Sequence, residues 1–182
     1  MTNGYKKPNL KSLYFDDEVQ KISSLQGKTI AITGTTTGIG FVAARTVANK
    51  GARALLLNRK SERSKSSYHQ LKKENPGANI VNIECDLQSF DSVRKAALRV
   101  IDLCQDGLDS LCNNAGIMAL KDEATVDGFD VQMQTNHLSH FLLTKEFLPL
   151  LKTAAELRGD ARVVNHSSIA RYGDKKLKAK YF

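Results

Sequence analysis

The chain has no tryptophan and only three prolines and three cysteines in 182 residues, and aromatic side chains make up 7% of it. Three is an odd number, and Cys85, Cys104 and Cys112 lack metal-ligand spacing, so neither a disulfide framework nor a zinc site is expected. The scarcity of aromatics denies a nucleic-acid surface the rings on which bases stack. No apolar run approaches the roughly 18 residues that a bilayer-spanning helix requires. Residues 1–26 hold no signal-peptide core, because Leu10, Leu13, Tyr14 and Phe15 are followed at once by Asp16, Asp17 and Glu18. A loosely held leader or amphipathic arm is expected there. The free thiols point to a reducing compartment, the cytoplasm by default, with organelle targeting left open. Internal repeats and low-complexity linkers are also missing.

What is present fits one soluble globular domain over residues 27–182, since 41% of the chain is hydrophobic and 25% charged. The 27 basic and 19 acidic residues give a formal charge of +8. That excess is local: Arg53 to Lys73 carries +6, Arg171 to the C-terminus +4, and the remainder −2. Two basic stretches are not a continuous binding face, so no polyanionic partner is expected.

Short apolar runs alternate with helical patterns. Strands are predicted at Lys28–Thr33, Ala54–Leu57, Ile80–Glu84, Leu108–Cys112 and Arg162–His166. Helices are predicted from Ile39 to Lys50 with Gly51 as the stop, from an N-cap at Ser61 to before Pro76, and from a cap at Ser89 or Asp91. A long helical stretch from about Val126 to Glu156 is expected to break near Pro149. Strand, helix, strand in this order predicts a parallel α/β sheet whose strands are apolar on both faces.

Between the first strand and the first helix stands Thr33-Gly34-Thr35-Thr36-Thr37-Gly38-Ile39-Gly40. Glycines at this junction let backbone approach a pyrophosphate and aim the helix N-terminus at it. Gly34 would supply the tight turn, Gly38 the close approach and Gly40 the packing of helix on strand, while Thr35, Thr36 and Thr37 offer hydroxyl donors. An ordinary tight turn remains the alternative. No Gly-Lys-Ser/Thr follows, which excludes the Walker loop. At the end of the second strand, Asn58-Arg59-Lys60 places bases where an acid would bind the ribose of NAD. This favours NADP(H), unless Arg59 and Lys60 merely solvate a loop.

Five motifs in order resemble the short-chain dehydrogenase/reductase family: the glycine spacing at 33–40, Asp86-Leu87, Asn113-Asn114-Ala115-Gly116, Asn136-His137, and Val163-Val164-Asn165-His166-Ser167-Ser168. They cover essentially Gly27 to Ser168. Asp127-Gly128-Phe129 through Thr144 is similar to the retinol dehydrogenase and protochlorophyllide reductase-like branch, which typically uses NADPH. The resemblance implies a Rossmann-type doubly wound sheet in the order 3-2-1-4-5. It implies cofactor contacts from Gly34, Thr36, Thr37, Gly38, Ile39, Gly40, Arg59, Asp86, Leu87, Asn113, Ala115 and Gly116. Asp86 would accept a bond from the adenine amino group, and Asn113 would brace the sheet centre. Asn136 would hold a water of the proton relay, and Ser168 would steady the carbonyl of a small hydrophobic substrate as hydride moves between it and nicotinamide.

One departure stands out. The family's general acid is a tyrosine with a lysine four residues on, and Tyr181 is followed only by Phe182. Tyr181 is either that tyrosine or part of a charged insertion beginning near Arg171. Tyr172 is too close to Ser168 for the role. The chain therefore reads as C-terminally truncated, with later strands absent and self-association possible through an exposed edge. An inactive nucleotide-binding fragment or sensor is the alternative function, and a sugar-nucleotide epimerase or isomerase a lesser one. His137 and His140, at i and i+3, lack a third metal ligand and read as packing or polar-core residues. His166 reads as a neighbour of the serine pair, and Cys85 and Cys112 as small buried hydrophobes.

Overall fold

The structure is a computed structural model that describes residues 12–169. Helix α1 (Phe15–Lys21) precedes β1 (Thr29–Thr33), α2 (Gly38–Asn49), β2 (Arg53–Asn58), α3 (Glu62–Glu74) and β3 (Ile80–Glu84). Then come α4 (Phe90–Leu103), β4 (Ser110–Asn113), a single turn α5 (Val131–Met133), a π-helical turn (Gln134–Leu138), α6 (Ser139–Arg158) and β5 (Arg162–Asn165). The five strands form one parallel sheet in the order β3-β2-β1-β4-β5.

Alternation along the strands sends side chains to two cores. Ile30, Ile32, Ala54 and Leu56 pack on one face with Ala44 and Ala48 of α2 and Leu71 of α3. Ala31, Leu55, Leu57 and Leu111 pack on the other with Val93 and Val100 of α4 and Leu143 and Phe147 of α6. Helices therefore cover both faces, the doubly wound arrangement. Every residue of β1 is buried, whereas β3 is half-buried and all four residues of β5 are exposed. The expectation of strands apolar on both faces thus fails at the two edges, where helices cover a strand only partly.

Local capping matches the sequence closely. The Ser61 hydroxyl accepts from Ser64 N–H and the Ser89 hydroxyl from Ser92 N–H. Residues 22–26 dock on the end of α2, where Leu25 N–H donates to the Lys50 carbonyl and Lys50 Nζ to the Ile22 carbonyl.

Two expectations about the long helix are corrected. Helical structure begins at Val131, behind an Asp130 cap that accepts from Met133 N–H, and not at Val126. Pro149 does not break α6, which runs on to Arg158 and stops at Gly159 with φ 81°. Proline costs one backbone bond, but Phe147, Leu150, Leu151 and Ala154 are buried around it and hold the helix in place. The interruption comes earlier, at the π-helical turn that carries Asn136.

At the N-terminal end of the sheet, Asp109 ties four elements together. Its carboxylate meets Arg158 Nε at 2.7 Å and Lys28 Nζ at 3.1 Å and accepts from Thr29 N–H at 2.8 Å, while its carbonyl accepts from Arg162 N–H. Burial works to raise this carboxyl, but Arg158, Thr29 N–H and Lys28 outweigh it and hold it below the usual carboxylate range.

Candidate functional site

The C-terminal ends of parallel strands leave a crevice where the strand order reverses, here between β1 and β4. A cavity of about 360 Å³ occupies it. The turn after β1 forms its centre. Arg59 and Asp86, after β2 and β3, lie on one side, and Ala115, Gly116 and His166, after β4 and β5, on the other.

The glycine turn is built for close approach. Gly34 has φ 70°, and a Cβ there would stand 2.8 Å from Ala115 Cα. At Gly40 a Cβ would stand 2.2 Å from the Gly34 carbonyl oxygen and 2.4 Å from Asn114 Nδ2. Helix α2 can lie against the turn only because position 40 has no side chain.

The turn is also pinned from below. Asn58, buried at the end of β2, accepts from Thr35 N–H at 2.8 Å and donates to the Thr35 hydroxyl at 2.8 Å. Thr35 is therefore turned into the interior, which corrects the expectation that its hydroxyl serves a ligand; Thr36 and Thr37 do line the cavity.

The start of α2 is open to an anion. Thr37 caps it without a side-chain hydrogen bond, and its first turn has no acidic residue, in contrast to the serine-capped α3 and α4. Four N–H groups at a helix start need partners, and a phosphate supplies them. Arg59, Ser61 and Arg63 add polar and positive groups at the β2 side of the same cavity. The buried Thr135 hydroxyl, at the cavity wall, has no hydrogen-bond partner among the described residues. Uncapped N–H groups, two guanidinium side chains and an orphaned hydroxyl fit a dinucleotide.

Of the residues named from the sequence, Gly34, Thr36, Thr37, Ile39, Gly40, Arg59, Asp86, Leu87, Ala115 and Gly116 line the cavity. Gly38 begins α2 with φ 60° and open space around it. The Asn113 side chain points into the fold, donating to Asn165 Oδ1 at 2.8 Å and Thr144 Oγ1 at 3.2 Å, so that it braces β4 against β5 and α6. Asn136 clamps the Ile117 backbone, accepting from its N–H at 2.9 Å and donating to its carbonyl at 2.8 Å. Ser168 is exposed on the segment after β5, and Tyr172 and Tyr181 lie outside the described residues.

Asn58 and Asn114 stand inside the sequence motifs without a role of their own, and Arg63 and Ile117 are not marked by any motif. Arg63 follows Arg59 by four positions, across the Ser61 cap, and its place in the same basic stretch could have signalled it. The asparagines carry no such signal, because their partners are 23 and 81 residues away. Cys85 reaches the cavity rim, but burial pushes its thiol up to about 12, so it is inert there. His137 is exposed, whereas His140 is buried with both ring nitrogens hydrogen-bonded.

Comparison with known proteins places this geometry. The family model described as short chain dehydrogenase matches residues 28–181. An uncharacterized oxidoreductase of Schizosaccharomyces pombe is 42% identical over 151 residues, covering 82% of this chain and 44% of that protein. Human retinol dehydrogenase 13 is 35% identical over 148 residues, covering 81% of this chain and 43% of its own length. The chain thus spans less than half the length of these relatives. Among solved structures, the Pseudomonas aeruginosa RhlG/NADP active-site complex superposes with a TM-score of 0.69 at 31% identity, over 87% of this chain and 61% of that one. With the glycine turn, the strand order and the family match in agreement, the chain belongs to the short-chain dehydrogenase/reductase family.

Proposed function

We propose that the chain is the dinucleotide-binding part of an NADP(H)-dependent oxidoreductase that interconverts a small hydrophobic carbonyl compound and its alcohol. The observation that carries the cofactor choice is Arg59, with Ser61 and Arg63 on the same cavity wall and no acid at the end of β2. A dianionic 2′-phosphate gains charge-assisted bonds from guanidinium groups, whereas the free ribose hydroxyls of NAD(H) call for an acceptor that is missing there. The uncapped start of α2 binds the pyrophosphate, and Asp86 accepts from the adenine. Asn58 and Asn114 hold the glycine turn in shape for this contact.

When bound, the cofactor supplies or accepts the hydride at nicotinamide C4. Ser168 donates a hydrogen bond to the substrate oxygen as negative charge develops on it. The Asn136 clamp keeps Ile117 and Gly116 beside the cofactor ribose, in addition to the family's water-holding role.

The test pairs binding with turnover. NADPH fluorescence should show tighter binding than NADH, and turnover of NADPH should be seen with hydrophobic aldehydes. Arg59→Asp should reverse the cofactor preference by roughly 10-fold or more, the scale of one lost charge-assisted contact. Equal affinity for both cofactors before and after the change would sink the specificity claim. Binding without turnover of any aldehyde would leave a nucleotide-binding module in place of an enzyme.

A further inference from the structure

His140 lies on the first turn of α6, 6% exposed, and reaches two elements at once. Its Nδ1 is 3.1 Å from the Asn136 carbonyl oxygen, and its Nε2 is 2.9 Å from the Thr33 hydroxyl. A carbonyl can only accept, so Nδ1 carries the proton. The Thr33 hydroxyl accepts from Asn114 N–H at 3.0 Å and Ala115 N–H at 2.9 Å, which uses both of its lone pairs. Its own hydrogen must then be donated, and His140 Nε2 is a nearer acceptor than the Cys112 carbonyl at 3.4 Å. The donor count therefore admits one tautomer, with Nδ1 protonated and Nε2 bare.

These bonds meet at the loop from Asn114 to Ile117, all four residues of which line the cavity. Thr33 holds the loop's first two N–H groups, and Asn136 clamps the Ile117 backbone at its far end. His140 stands behind both anchors. We propose that His140, as the neutral Nδ1–H tautomer, is a positioning residue that fixes both ends of the Asn114–Ile117 loop and thereby sets the affinity of the dinucleotide site. Burial, the largest influence on the imidazole, holds it below its usual range, in keeping with the neutral form; the Asn136 carbonyl opposes this, and neighbouring His137 adds to it. A proton on Nε2 would face a hydroxyl with no lone pair left.

The effect on affinity rests on the dinucleotide reading, whereas the anchoring of the loop does not. Three measurements on the full chain separate them. Nitrogen-15 spectra of the imidazole should show Nδ1 protonated and Nε2 bare at neutral pH. An Nε2-protonated or charged ring would overturn the proposal. In His140→Leu, amide exchange at Ala115 and Ile117 should quicken by roughly 10-fold while Leu55 and Leu56 in β2 stay protected, and NADPH should bind roughly 10-fold more weakly. His140→Gln, whose amide oxygen can still accept from Thr33, should recover most of that affinity. Wild-type exchange and affinity in His140→Leu would refute the positioning role, as would a uniform loss of protection across the core.

If the leucine variant does not fold, His140→Asn decides. Its shorter side chain places Nδ2 at the Asn136 carbonyl and brings no acceptor within reach of Thr33, so Ala115 should lose protection while Ile117 keeps it. Equal, wild-type protection at both would refute the anchor. If wild type binds neither NADPH nor NADH yet shows the Nδ1–H tautomer and the loosened loop in the variants, the functional reading falls and the anchor stands.

Discussion

Gly40→Ala is the sharpest test of the site's geometry, because two physical effects predict opposite signs. Alanine is the better helix former by about 1 kcal/mol, so on propensity alone the change should stabilise α2. The structure predicts the reverse. The new methyl would stand 2.2 Å from the Gly34 carbonyl oxygen and 2.4 Å from Asn114 Nδ2, roughly 1 Å short of ordinary contact in each direction. Either α2 withdraws from the glycine turn or Asn114 gives up its bonds to the Thr33 and Gly34 carbonyls. Overpacking of this kind costs about 1–3 kcal/mol and a lost hydrogen bond about 1 kcal/mol more, against the propensity gain. The net expectation is about 1–3 kcal/mol of lost stability, which for a domain of this size lowers the Tm by roughly 3–10 °C.

Urea unfolding followed by circular dichroism gives the stability, and NADPH emission, undisturbed by tryptophan, gives the affinity. Gly77→Ala is the control: φ is 85° with no atom within 4 Å of the added carbon, so it costs backbone strain of about 1 kcal/mol and leaves NADPH binding alone. A Gly40→Ala protein as stable as wild type or more so, with unchanged NADPH affinity, would refute the claim that helix and turn touch at this residue.

Asp109→Asn should destabilise the fold by about 3 kcal/mol near neutral pH, because Arg158 and Lys28 lose their shared counter-charge in a largely buried setting. The folded-state pKa of Asp109 is depressed, so its contribution is fully present above the unfolded value of about 3.9 and is lost as pH falls through the folded value. The stability gap between wild type and variant, from urea titrations at several pH values, should therefore be constant from pH 7 to 5 and close below pH 4; a gap that widens in acid would contradict the assignment. Among the described residues strand β5 is an edge of the sheet and presents Val163 and Val164, 38% and 50% exposed. Concentration-dependent association by light scattering is expected, and Val164→Lys should reduce it; a monodisperse wild-type monomer would show that the edge is covered.

Much of this fold is written locally. The serine caps at Ser61 and Ser89, the stop at Gly51 and the strand limits at Ile80 and Glu84 depend on residues within a few positions of one another, so a reader of the chain finds them. Pro149 misled for the same reason: its local cost is real, but the burial of Phe147 and Leu151 that overrides it comes from elements far along the chain. The π-helical turn at Gln134–Leu138 was hidden in a stretch that reads as continuous helix, since a one-residue change in hydrogen-bond spacing leaves the apolar pattern almost intact.

The site divides along the same line. Sequence by itself determined the parallel α/β class, the glycine turn before α2 and the basic end of β2, because each is set by neighbouring residues and by charge. Only the tertiary structure decided which polar side chains face the cavity and which face inward. Thr35 and Thr36 are adjacent and chemically alike, yet one is held inside by Asn58 and the other lines the cavity. His137 and His140 are three positions apart, yet only the second meets Thr33, 107 positions earlier. A hydrogen bond needs its partners within about 3 Å, and residues so far apart in the chain reach that distance only when the sheet, with α6 on its face, brings the ends of β1 and β4 together.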